Sequence, residues 1–425
     1  MRGEKICNDP KASVVGVSSG WIFARKPQMS HRPWMVSMLC CRSLQESIET
    51  HENNYLIIRF LLSASVIFFH AFALSSDKSL QNPTNRFLYP ITDMGGLAVG
   101  LFFFLSGLFV SQSYFGDPNV LRFFAKRFLR IFPGLFICLL VTAVLAVLID
   151  DPRHADSHFS SVSFYRYVID NASLHLNWFI TGIFTNHSYQ AVNGSIHTLP
   201  LEWKMYMIMT SASILGFLGN RRLFSGTALV LLLVALAPPS LTAGANFVFD
   251  ADYSRSAGAL FFFGMFAFSV ARYIYVPSWL ALSLTCATFL TRGTPHETLF
   301  YLSAIGWTIY LGEAGWLTRL IHPKTDLSYG VYIYGWPMQQ IMLDIFGRNL
   351  GPYQLTLTAL PVAVLIATGS WHLIERPAIR FGHGLNRMNE GSLRRPEVLR
   401  VLIVALLFIC CVVALQIAEA CHHPS

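Results

Sequence analysis

The sequence predicts an all-α protein, a polytopic transmembrane bundle of about ten to eleven spans, and three observations carry that prediction. Of its 425 residues 53% are hydrophobic and 13% charged, whereas about a quarter are charged in a soluble domain. That is too little charge to cover a water-facing surface. The apolar residues come in blocks of about 20, the length that crosses a hydrocarbon core at 1.5 Å rise per helical residue. Between the blocks, basic and acidic loops alternate, as the positive-inside bias requires of a membrane protein.

Eleven runs qualify as spans. The first five lie near 55–75, 94–114, 133–149, 199–218 and 224–240. The next lie near 257–274, 277–291, 298–317, 327–346, 355–374 and 398–418. With the N-terminus in the cytoplasm, Arg122, Lys126, Arg127 and Arg130 after span 2, Arg221 and Arg222 after span 4, and Arg319 and Lys324 after span 8 all face inward. So do Arg376, Arg380, Arg387, Arg394, Arg395 and Arg400 after span 10. The opposite loops hold Asp150, Asp151, Asp156, Asp170, Asp250 and Asp252. The longest of these, 150–198, is rich in histidine and aromatic residues and is the natural lid or acceptor surface.

Three segments follow. Residues 1–50 are mixed and polar, with no run long enough for a signal peptide. They are expected to be disordered or an over-extended start, with Met29, Met35 and Met38 as other candidate starts. Residues 51–381 form the main transmembrane domain, and 382–425 supply a basic cytoplasmic loop and an additional helix. The protein is expected in the inner (plasma) membrane, with the lipid bilayer as its first partner.

The formal charge of +8 follows from this topology, so a nucleic-acid partner is excluded. Eight cysteines, at 7, 40, 41, 138, 286, 410, 411 and 421, form no CxxC pair. No zinc site or disulfide framework is indicated, and no metal is expected.

Ionisable groups inside spans are costly, so each is a candidate site. Arg59 and His70 in span 1 are eleven residues apart, about three turns and about 20° around the helix, and share a face. Arg59 either snorkels to the interface or polarises a carbonyl or holds a phosphate, and His70 is either a bonded core histidine or a base. In RFFAKRFLRIFP, Lys126, Arg127 and Arg130 make a cationic patch that either anchors anionic lipid or docks donor phosphates. Glu202, at the start of span 4, shares a face with Tyr206. It either orients or deprotonates an imidazole, or pairs with Lys204 or caps its helix. Glu375, Arg376 and Pro377 read as a structural ion pair at a helix exit, with Pro377 ending the helix. In GGLAVGLFFFLSGLFVSQS, Gly96, Gly100 and Gly107 allow close helix approach. Ser106 either packs with them or hydrogen-bonds in a polar channel.

These segments, in order, resemble the acyltransferase 3 family of membrane O-acyltransferases that modify surface glycans. The resemblance rests on Arg59 and His70 with ten residues between them, GLFFFLSGLFV at 100–110 and KRFLRIFP at 126–133. It continues through VNGSIHTLPLEWKMY at 192–206, DLSYGVYIYGWPMQQ at 326–340 and IERP at 374–377. It implies about ten helices, an acyl-CoA donor, acetyl-CoA first among them, bound from the cytoplasm, and transfer to a glycan or glycolipid hydroxyl on the outer side. By position His70 and Arg59 match the family's histidine and arginine, and Arg127 and Arg130 its basic motif. Asn193, Ser195, Tyr206 and Tyr329 fall in the matching segments and join Ser106 as candidate substrate or channel residues. His197, Trp203, Met205, Tyr334 and Gly335 depart from the family's usual residues, and no histidine is present near 335. Span 11 resembles the linker to a secreted SGNH-type domain, which would here be a separate partner.

A transporter or flippase of a glycan or lipid is the rival reading, since many spans with a midplane histidine and arginine suit it too. No inverted repeat is visible in the sequence. A membrane scaffold without catalysis is a third, disfavoured by the alignment of Arg59 with His70.

Overall fold

A computed structural model describes residues 42–50, 53–77, 79–238, 240–241, 252–321 and 323–384. Most of the predicted N-terminal segment, the eleventh span and the arginines at 387, 394, 395 and 400 lie outside the described residues.

Among the described residues every regular element is a helix. The ten principal ones begin with α1 Tyr55–Leu74, α2 Met94–Gly116, α3 Val120–Asp150, α4 Leu199–Ile214 and α5 Arg221–Leu236. Then come α6 Asp252–Ser269, α7 Ser278–Leu290, α8 Thr294–Glu313, α9 Ser328–Phe346 and α10 Pro352–Ser370. Each coincides with one of the first ten apolar runs. Four stretches, α1, α2, α3 and Pro352–Gly382, are long and apolar enough to cross a membrane. Capping follows from the residues at hand. Asp93 and Asn119 accept the Gly96 and Arg122 backbone N–H groups at the starts of α2 and α3.

Two helix boundaries differ from those the sequence predicts. The basic segment 122–133 is no separate surface element, because α3 runs unbroken for 31 residues with Pro133 inside it. At about 46 Å it exceeds the hydrocarbon core, so its cationic first turns extend beyond the apolar stretch. Pro377 does not end a helix either. A π-turn at Trp371–Glu375 widens the coil, and a new helix, α11, runs from Arg376 to Gly384. Pro377 then falls in a first turn, where its missing N–H costs little.

Helix α9 is the hub, with every residue from Ser328 to Leu343 buried, as expected of a helix that is apolar around its whole circumference. α1 runs alongside it: the Ser63 hydroxyl donates to the Ser328 carbonyl at 2.8 Å and Gln339 Nε2 to the Ile67 carbonyl at 2.8 Å. Gly335 is required there, since a Cβ at that position would lie 2.5 Å from Ile67 Cγ1. A histidine would collide with α1.

α2 and α6 meet backbone to backbone. A Cβ on Gly107 would sit 2.0 Å from the Phe261 carbonyl oxygen, and one on Gly264 2.2 Å from that of Phe104. Gly100 serves the same contact against Leu260, whereas Gly96 meets only Thr92 of its own approach. The close approach foreseen for Gly100 and Gly107 is therefore present and that for Gly96 is not. Because the obstacle at Gly107 is backbone, Gly107→Leu should destabilise by at least the 1–3 kcal/mol typical of overpacking, read as a lower melting temperature of purified protein. An unchanged melting temperature would mean that α2 and α6 do not touch at this point.

Candidate functional site

A cavity of about 110 Å³ lies between α1, α2, α3, α4 and α9, room for several waters. Arg59, Arg127 and Arg130 all line it, with Glu202, Tyr206 and Tyr329. Ser106 and Tyr332 line it too. Three guanidinium groups on one partly buried space are costly unless countered.

Asp326, in the turn before α9, is the main counter-ion. Its Oδ2 is 2.9 Å from Arg59 Nη1 and 2.7 Å from Arg130 Nη2, and its Oδ1 accepts from the Ser328 hydroxyl at 2.5 Å. Burial works to raise this carboxyl, but Arg59 and Arg130 outweigh it and hold Asp326 well below the usual carboxylate range. The sequence reading gave Asp326 no role, although it opens one of the matched segments.

Arg127 is held differently. Its Nη2 donates to Ser113 Oγ at 3.1 Å, and the guanidinium lies 5.8 and 5.9 Å from the ring centres of Phe123 and Tyr206. Its Nε is buried with no hydrogen-bond partner among the described residues. Arg127 thus keeps a buried donor in reserve. Lys126 does not join it. Its Nζ is bound at 2.8 Å to Asp117, the carboxylate that Arg122 also grips, and Lys126 is absent from the cavity wall.

Glu202 accepts a hydrogen bond from the Tyr206 hydroxyl, which is 3.1 Å from Ser106 Oγ. The spacing of four residues does what it suggested, bringing the carboxylate and phenol together. The partner is a phenol, and among the described residues no hydrogen bond between Glu202 and an imidazole is present. Tyr329 lies under Arg130, 5.6 Å from its guanidinium, and donates to the Ile131 carbonyl at 2.8 Å.

His70 is buried and faces α9, as the shared helical face requires. It meets Trp336 edge to face at 4.9 Å, and its Nδ1 has no hydrogen-bond partner among the described residues. It is not part of the cavity wall. From Arg59 it is displaced about 16 Å along the axis, and Ser63, Val66 and Ile67, all buried, lie between. Asn193 and Ser195 are also away from the cavity. Asn193 Nδ2 donates to the Ile333 carbonyl at 2.9 Å and its Oδ1 accepts from Ser195 N at 3.0 Å, while Ser195 Oγ is buried without a protein partner. The site has two parts, a cationic cavity at one end of α1 and α9 and a histidine niche toward the other.

Glu375, read from the sequence as part of a structural ion pair, takes a different place. It is buried, with Oε1 accepting from Ser370 Oγ at 3.1 Å and Oε2 without a protein partner. The expected surface ion pair at this helix exit is replaced by a buried carboxyl against Gly134 and Gly330. Its signal in the sequence was a carboxylate one residue after an apolar run.

Among the described residues one group has the donor types for a metal ion, Asp150, His187 and Asp344, whose ligand atoms lie within 4.8 Å of one another. Arg348 already supplies positive charge there, at 3.6 Å from Asp150 and 3.2 Å from Asp344.

Comparison with known proteins adds what geometry leaves open. Residues 53–375 match the model of the family described as an acyltransferase domain. An O-acetyl transferase of Shigella phage Sf6 is 27% identical over 348 residues, covering 77% of this chain and 96% of the relative. Nodulation protein 10 of Rhizobium leguminosarum bv. viciae is 25% identical over 356 residues, covering 78% and 94%. No solved structure matches.

Proposed function

Because the chain belongs to the acyltransferase-domain family and is a membrane O-acyltransferase, we propose that it moves an acetyl group from acetyl-CoA to a hydroxyl of a surface polysaccharide or glycolipid. The observation that carries this is the cationic cavity, in which Arg127 keeps an unpartnered, buried Nε. A donor ending in phosphates and a short thioester suits such a place, since guanidinium forks match phosphate oxygens. The enzyme assignment leaves the transporter reading without support of its own.

In this reading the end of the bundle that carries Arg59, Arg127 and Arg130 faces the cytoplasm, ten or eleven helices cross the inner membrane, and the acceptor approaches His70 from the other side. The donor arm reaches His70 once Ser63 and Ile67 give way between α1 and α9. His70 takes the proton of the acceptor hydroxyl, the oxygen attacks the thioester carbonyl, the C–S bond breaks, and coenzyme A leaves as its thiolate. A variant route forms acetyl-His70 first and releases the thiolate in that step. The transfer is finished here or by a separate SGNH-type partner.

The test uses purified full-length protein with labelled acetyl-CoA and follows thiol release and label in the glycan. Absence of thiol release under any acceptor condition would end the proposal. Arg127→Gln should raise the KM for acetyl-CoA about 10- to 100-fold, the equivalent of the 1.5–3 kcal/mol of a charged hydrogen bond. Its melting temperature should stay near that of the wild type, since Arg127 makes no ion pair within the protein's described residues. An unchanged KM would make Arg127 a lipid anchor.

A further inference from the structure

The segment between α3 and α4 is locked to the far end of α9 through His187, whose side chain is fully buried. His187 Nδ1 is 2.9 Å from Gln340 Oε1, and Nε2 is 2.8 Å from Asp344 Oδ1. The same Gln340 places its Nε2 at 2.6 Å from the Tyr189 carbonyl and 2.9 Å from that of Ala191. Two carbonyl oxygens need the two amide hydrogens, so Oε1 must be the atom facing His187, and it can only accept. Nδ1 therefore carries a hydrogen. A neutral ring would then aim the Nε2 lone pair at a carboxylate oxygen 2.8 Å away, which is repulsive. A second proton on Nε2 turns that contact into a charge-assisted hydrogen bond.

The surroundings balance such a cation. Asp344 faces it from α9, Asp150 from the end of α3, and Arg348 bridges both carboxylates from beyond α9. Asp150 Oδ2 also accepts from Phe184 N at 2.7 Å. His158, farther along, is committed to Asp151. Two carboxylates thus face one guanidinium and one imidazolium.

The clamp reaches the proposed reaction centre. Ala191, fixed by Gln340, also accepts from Trp336 Nε1 at 2.9 Å. Trp336 is the ring packed on His70, and Gly194 is pressed so close that a Cβ there would lie 2.9 Å from the indole. We propose that His187 is a positioning residue: as an imidazolium it clamps segment 177–194 onto α9 and, through Ala191 and Trp336, fixes the orientation of His70. This rests on the reading of His70 as the reacting histidine.

Burial opposes the charge on His187, but the hydrogen bonds it donates to Asp344 and Gln340, with the Asp344 charge, raise it above its ordinary 6.5. A raised value means that the stabilisation is complete below pH 6.5 and is lost as pH climbs through the folded-state value.

The experiment measures melting temperature against pH, and kcat and KM for acetyl-CoA, for purified wild type, His187→Gln, Asp344→Asn and Trp336→Phe. The melting-temperature advantage of wild type over His187→Gln should be present at pH 6 and vanish at alkaline pH, and Asp344→Asn should move its loss to lower pH. His187→Gln should lower kcat about tenfold or more with KM for acetyl-CoA unchanged. Trp336→Phe should lower kcat similarly while keeping the wild-type melting profile, and the double variant should be no worse than either single one. A pH-independent melting difference, or one divalent ion copurifying per chain, would overturn the imidazolium. Unchanged kcat in His187→Gln would overturn the positioning role. If wild type releases no thiol from acetyl-CoA, the acetyl reading fails by itself, and the melting profile in that same protein still decides the state of His187.

Discussion

His70→Ala is expected to lower acetyl transfer by about 10²–10⁴-fold, the range for removing a general base, or to abolish it if an acetyl-His70 intermediate carries the group. The physical ground is the state of the ring. A histidine kept in a core for packing satisfies its polar atoms, because a buried unpaired donor or acceptor costs about 1–3 kcal/mol. His70 Nδ1 has no protein partner although the ring is 8% exposed. Alanine also leaves a hole beside Trp336, so His70→Gln, which retains volume and a polar terminus, is the companion variant. Both should be present in membranes at wild-type abundance, and neither should change the KM for acetyl-CoA, because the cavity proposed to hold the donor is lined by Arg59, about three turns away along α1, and does not include His70. Wild-type turnover in His70→Gln would remove this residue from the chemistry.

Much of this arrangement was legible in the sequence, and the reason is periodicity. A run such as Tyr55–Leu74 must fold its backbone bonds within itself in lipid, so its position is set by composition alone. The same repeat of 3.6 residues places Arg59 with His70 on the face turned to α9 and Glu202 beside Tyr206. What periodicity cannot give is contact between distant segments. Arg130 meets Asp326 across 196 residues, and His187 meets Asp344 across 157. Nothing local marks either acid as a partner. Lys126 shows the converse: its spacing from Arg130 put it on the same patch, yet Asp117 lies nearer and takes it. Pro377 shows a third limit, since a proline in a first turn and one that stops a helix look alike until the π-turn before it is seen.

Asp326→Ala should be the most destabilising single change at the cavity. It strands Arg59 and Arg130 together, side chains that are 26% and 17% exposed, and breaking a buried pair from one side costs about 3–5 kcal/mol. The expected result is low yield of folded protein and a melting temperature well below wild type. Asp326→Asn separates charge from shape. It keeps the volume and one acceptor oxygen, which can serve either Ser328 or the guanidinium groups while the amide NH2 faces the other side, and it removes the negative charge, so the loss should be smaller than for alanine. With no carboxylate competing for Arg59 and Arg130, the cavity becomes more cationic, and KM for acetyl-CoA should fall while added salt weakens binding more steeply than in wild type. On that outcome Asp326 is the anion that holds two arginines in place for the phosphates of the proposed donor. If Asp326→Asn instead raises KM as much as Arg127→Gln does, the carboxylate is needed to shape the donor site and the two arginines are not free to exchange partners.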